Sequence, residues 1–158
     1  MTALAIVRGI AVFTTGLAAG IFLGHRMGVS FAMPQLSPSS FVQLQQVIHR
    51  HFARMMPPLI LAAVGTSLAW AALSAGHRPS AEFWLAAFSA LAMGCVAVLT
   101  RVVNVPINQR LMTWSIEAPP ADLVALWTPW ERVHSIRTVL ALVAFATQVV
   151  GLGAVALG

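Results

Sequence analysis

Four apolar runs, at residues 4–24, 57–73, 83–103 and 139–157, dominate the chain. A helix needs about 20 such residues to cross the hydrocarbon core of a bilayer. None of the runs alternates with a period of two, which argues against strands. The pattern predicts an all-α fold, an integral membrane four-helix bundle built as a single transmembrane domain over residues 1–158. The second run is the shortest and extends upstream through Met55 and Met56. The first run is read as a retained helix, not a cleaved signal. Its only early charge is Arg8, and it continues past the small residues of "GLAAG" to Leu23. Gly16, Gly20 and Gly24 recur there at a spacing that permits close helix approach, although glycine is common in membrane helices.

The connections are unequal. The turn around His77 and Arg78 is short, and with Glu82 it reads as a solvated interface. The segment 25–56 contains "SPSSFVQLQQVIHRHFARMMPP", where Ser39 or Ser40 can cap a helix. Phe41, Leu44, Ile48, Phe52 and Met55 share one helical face, with Gln45, His49 and Arg50 on other sides. This predicts an amphipathic helix that bends at Pro57-Pro58 into the second span. An extended interface segment separates spans 3 and 4. Within it, "TPWE" at 128–131 reads as a capping box, so the fourth helix is expected to start at Thr128.

Composition sharpens this picture. The 158 residues are 59% hydrophobic and only 8% charged, against about 25% charged in a soluble domain. The net charge of +5 is carried by arginine alone. Arginines flanking apolar runs point to the lipid bilayer, not to nucleic acid. With four spans, Arg8 and Arg78 fall on one side and the other seven arginines on the opposite side. The positive-inside rule then places the connections 25–56 and 104–138 in the cytoplasm, at the plasma (inner) membrane. Cys95, alone and mid-run, reads as a small core residue.

Chemistry concentrates between spans 3 and 4. In "RVVNVPINQR", Asn104 and Asn108 share a helical face, Pro106 frees a carbonyl one turn back, and Arg101 and Arg110 flank them. A capped helix end with snorkelling arginines is the plain alternative. In "WTPWERVHSIRT", Trp130, His134 and Arg137 line one face, and Trp127 precedes them. An aromatic belt accounts for the tryptophans alone. An arginine on that face, nearer the membrane, wants an anion or a wet cavity. His49 and His51 are two apart and make poor joint ligands. A metal site combining His49 or His51 with His25 or His134 is the weaker alternative. All four acids fall in the connections, which argues against a di-iron carboxylate bundle and a proton-relay transporter. No phosphate loop, haem-attachment motif or nucleophile elbow is present.

These residues carry a resemblance. A Gly-rich first helix, "NVPIN" after the third span and "W…W…H…RT" opening the fourth resemble the anthrone oxygenase-like family, over nearly the whole chain. Asn104, Pro106, Asn108, Trp127, His134, Arg137 and Thr138 match its motif. The resemblance implies a small four-span membrane protein. It also implies oxidation of anthrones to anthraquinones by dioxygen, a monooxygenase activity with no established organic cofactor. On that expectation the catalytic candidates are His134 as first-choice base, His51 as second, and Arg137, Asn104 and Asn108 as donors to an oxyanion. Trp127, Trp130 and Arg110 would bind a hydrophobic aromatic small molecule. The expected cofactor is none, with a transition metal ion as the alternative. Rival readings are a metal-dependent membrane oxidoreductase, a non-catalytic membrane subunit or lipid-interaction protein, and a transporter. A homo-oligomer is compatible with each.

Overall fold

The computed structural model describes residues 2–76 and 80–156, and every regular element in them is helical. Helix α1 spans Ala3–Gly24 and passes into a π-helical turn, His25–Val29. The short α2, Ser30–Ala32, and a 3-10 turn, Met33–Gln35, follow. Helix α3 spans Pro38–Ser74 and α4 spans Ala81–Leu99. A second π-helical turn, Thr100–Asn104, leads into α5, Val105–Leu111. Helix α6 spans Leu123–Ala156.

Four helical stretches are long and apolar enough to cross a membrane, so the chain is an integral membrane protein. Helix α1 packs on α3 and α6, and α4 packs on the same two, which puts α1 and α4 on opposite corners of a four-helix bundle. Phe13, Leu61, Leu91 and Val98 are exposed around its outside, as lipid contact requires. Small residues fill the middle: Ala18, Ala19, Ala63, Ala92, Ala141 and Ala144 pack with Met93 and Val96. The two long connections pack together at one end, where Met33, Phe41, Leu111, Leu123, Trp127 and Trp130 form a cluster of their own.

Several expectations are corrected. The cap of α3 is Ser37, whose side chain accepts from the Ser40 amide, not Ser39 or Ser40. As expected, the amphipathic segment joins the second span through Pro57 and Pro58 in one helix. Its buried face carries Val42, Gln45, Gln46 and Met56, with His49 half-buried, while Leu44 and Met55 are exposed. Helix α6 begins at Leu123, and "TPWE" is not a capping box. Thr128 Oγ1 instead donates back to the Val124 carbonyl, and Glu131 accepts from Trp127 Nε1 and Ser30 Oγ. Cys95 is exposed on the bundle surface, not part of the core. A Cβ at Gly16 would lie 2.7 Å from the Phe145 ring, whereas Gly20 and Gly24 have nothing within 4 Å. Only Gly16 therefore marks a close approach.

Glu82 is half-buried and paired, not simply a solvated interface residue. Its Oε1 accepts from Arg8 Nε at 2.7 Å, Trp70 Nε1 at 2.5 Å and Ser74 Oγ at 3.0 Å, and Arg8 Nη2 completes an ion pair. This closes the end of the bundle remote from the long connections. His77 and Arg78 lie outside the described residues.

The π turns have local causes and consequences. Pro106 has no amide hydrogen, and in an α-helix its ring would press on the carbonyl four residues back. The wider turn Thr100–Asn104 relieves that, with the Val105 amide bonding the Thr100 carbonyl. In the turn His25–Val29 the Ser30 amide bonds the His25 carbonyl. Residues five apart differ by about 140° around an α-helix, but stack in a π turn.

Candidate functional site

Both π turns border one cavity of about 310 Å³ at the end that carries the long connections. Helix α1 and its π turn supply Phe22 and His25. Helix α3 supplies Gln45, His49, Phe52 and Met56. Thr100, Asn104 and Asn108 come from the second π turn and α5, and Trp130, His134 and Arg137 from α6. Polar groups at this depth cost free energy unless they are used.

The wall on α6 is a ladder of rings. Trp127 stacks on Trp130 at 4.5 Å, and Trp130 on His134 at 4.9 Å. His25 meets the His134 ring edge-on at 4.7 Å, and Phe22 meets it at 5.9 Å. Arg137 closes the ladder, its guanidinium carbon 5.0 Å from the Phe22 ring centre and 5.8 Å from that of Trp130. Such placement lowers the cost of burying a cation without neutralising it.

Arg137 is only 5% exposed. It donates to Thr100 Oγ1 at 2.8 Å and lies 3.3 Å from His134 Nδ1. The ion pair of the described residues is Arg8–Glu82, so Arg137 has no carboxylate among them. Asn104 Nδ2 donates to the Trp130 carbonyl at 3.3 Å, which ties the π turn to α6. Thr138, a motif residue, donates to the His134 carbonyl.

Five buried polar atoms of this wall have no protein partner among the described residues. They are Gln45 Nε2, Asn104 Oδ1, Trp130 Nε1, His134 Nε2 and Arg137 Nε. Buried polar groups are nearly always satisfied, so a set converging on one cavity marks a place for a polar ligand. Three of the five are obligate donors, an arrangement suited to a negative oxygen.

The expected residues divide clearly. His134, Arg137, Asn104, Asn108 and Trp130 line the cavity together. Trp127 is one ring behind, packed on Phe41 at 5.5 Å, and belongs to an outer groove of about 490 Å³. His51 and Arg110 are exposed and border neither space. Among the described residues, no three His, Cys, Asp or Glu side chains are grouped to hold a metal ion, so His25, His49, His51 and His134 do not form one ligand set. Gln45, Thr100 and Phe22 were not anticipated, and His25 and His49 only as metal ligands.

Residues 44–147 match the family model described as anthrone oxygenase. The chain belongs to the anthrone oxygenase family. No curated protein and no solved structure matches it. The match to the anthrone oxygenase family spans α3 to most of α6, and so includes the motif residues of the cavity wall. Phe22 and His25, on the first helix and its π turn, lie outside the matched stretch.

Proposed function

We propose that this protein is a membrane monooxygenase that oxidises anthrone-type polycyclic phenols to quinones with dioxygen. The observation that carries this reading is Arg137, a buried cation with no carboxylate among the described residues, in the wall of an aromatic cavity. An anthrone becomes an enolate when its methylene carbon loses a proton, and the negative charge then rests on its oxygen. Arg137, His134 and Trp130 carry donors that suit this oxygen, and stabilisation of such a charge in a dry site is a large catalytic term. Trp130, Phe22 and Phe52 supply apolar and aromatic surface for the fused rings. At about 310 Å³, the cavity sits at the small end of ligand sites and suits one compact molecule.

The reaction balances without a reductant. A base takes the methylene proton, and the enolate passes one electron to dioxygen. The resulting radical and superoxide join in a carbon–oxygen bond, and the base returns its proton to give a hydroperoxide. Removal of the second proton from the same carbon forms the new carbonyl and breaks the oxygen–oxygen bond. Hydroxide leaves and takes up that proton as water. One oxygen atom enters the product, and the reaction as written draws on no cofactor.

The bilayer is the natural source of so apolar a substrate, because the cavity lies at the bundle end where the chain leaves the apolar runs. The excess of arginine on that side supports a cytoplasmic orientation of the cavity end. The test is oxygen uptake on adding an anthrone to the purified protein in detergent, with labelled dioxygen placing one label in the quinone. Uptake that persists undiminished in Arg137→Gln would sink the reading.

A further inference from the structure

The two buried histidines have partners that settle their ring protons, and the outcome exchanges the roles their positions suggest. Arginine only donates, so at 3.3 Å from Arg137 Nη2 the Nδ1 of His134 must be the acceptor. The neutral His134 ring therefore carries its hydrogen on Nε2, the atom without a protein partner. A donor there can steady an oxygen but cannot take a proton. Protonating Nδ1 instead would place two cations side by side in a buried wall.

His25 is wired the opposite way. Ser30 Oγ has one hydrogen, and Glu131 Oε1 lies 3.2 Å from it. A carboxylate accepts only, so Ser30 donates to Glu131. Trp127 Nε1, also 3.2 Å from that oxygen, holds the carboxylate in place. The remaining contact of Ser30 Oγ is His25 Nδ1 at 3.5 Å, where the serine can only accept. The His25 ring thus carries its hydrogen on Nδ1 and keeps the lone pair on Nε2. His25 borders the inner cavity, whereas Ser30 and Glu131 border the outer groove.

Resting on the oxygenase reading, we propose that His25 Nε2 is the base of this site, with Ser30 and Glu131 as its positioning residues and its proton outlet, and that His134 is an oxyanion donor. The methylene proton of the substrate moves to His25 Nε2, and its electron pair enters the ring system. The Nδ1 hydrogen can then pass to Ser30 as the serine hydrogen passes to Glu131, which opens on the groove. The π turn is what makes this possible, since it stacks Ser30 on His25 five residues earlier.

Two measurements test it on the full chain in detergent. Nitrogen NMR of the histidine rings, assigned with His25→Gln and His134→Gln, should find hydrogen on Nδ1 of His25 and on Nε2 of His134. In Glu131→Gln the His25 ring should become a mixture of both forms. The reverse wild-type assignment overturns the proposal whatever the protein oxidises. The second is anaerobic deuterium exchange at the methylene of anthrone, which reads proton removal without oxygen chemistry. His25→Ala should lose about 10²-fold or more of the catalysed exchange, the usual range for a positioned base, and recover part of it with added imidazole. Imidazole rescue of His134→Ala, with none in His25→Ala, overturns the assignment and leaves the oxygenase reading intact. Wild-type protein that neither exchanges the proton nor consumes oxygen overturns that reading and the base with it.

Discussion

The two ends of the bundle use the same materials to opposite effect. At one end, Glu82 gathers Arg8, Trp70 and Ser74 on a single carboxylate oxygen, so the arginine charge is met in place. At the other, Arg137 sits beside Trp130 and Thr100 with no carboxylate among the described residues, in a wall that leaves five polar atoms open. A satisfied buried network rigidifies, and an unsatisfied one costs stability unless a ligand completes it. Burial of an arginine says little by itself; its partners distinguish a fastener from a site.

The widest separation between the ends should come from their charged residues. Arg137→Gln is expected to reduce turnover of an anthrone by roughly 10³-fold, the scale of losing a key oxyanion donor. It should leave thermal stability in detergent unchanged or raised, because a buried unmatched cation is removed. A large loss of stability together with activity would make Arg137 a fastener like Arg8. Glu82→Gln is the mirror experiment. It should cost about 3 kcal/mol of stability, because Arg8 is left without its anion at a partly buried site. Turnover per folded molecule should stay at the wild-type level. Thermal unfolding alongside oxygen uptake reads both quantities.

Much of this contrast was legible in the chain and some was not, for physical reasons. The four spans follow from run length alone, and the stripe Trp130, His134, Arg137 follows from a 3.6-residue period. A shared face on α3 does not by itself say which residues turn inward: Phe41 is buried and Leu44 and Met55 are exposed, while Gln45 and Gln46 are buried. The pairing of His25 with Ser30 is not legible in the sequence, because residues five apart come together only in a π turn. Glu131 escaped because "TPWE" fits a helix start, although the helix is already running and the carboxylate reaches α1's extension instead.

A smaller effect tests how tightly Arg137 must be aimed. Thr100→Val removes the 2.8 Å contact to Arg137 Nη1 without changing the size of the residue much. Bonds to charged groups contribute on the order of 1.5–3 kcal/mol. Turnover is therefore expected to fall by roughly tenfold, about 1.4 kcal/mol, with substrate affinity little altered. Equal activity in Thr100→Val would mean that the remaining wall, Phe22 and Trp130 above all, holds the guanidinium unaided.

The smallest expected effect lies between the two ends, where packing alone decides. A Cβ at Gly16 would fall 2.7 Å from Cε2 of Phe145, a ring packed against the alanine-rich core. Gly16→Ala must therefore push that ring aside, at about 1 kcal/mol for a single added methyl. Gly20→Ala adds the same methyl to the same helix where nothing lies within 4 Å. It should be neutral in thermal unfolding, so the pair separates a steric cost from a general effect of glycine on α1. The double variant Gly16→Ala with Phe145→Leu should recover part of the loss, because the two sites touch and their effects cannot add. If Gly20→Ala costs as much as Gly16→Ala, the close approach seen at Phe145 is not what glycine serves in this helix.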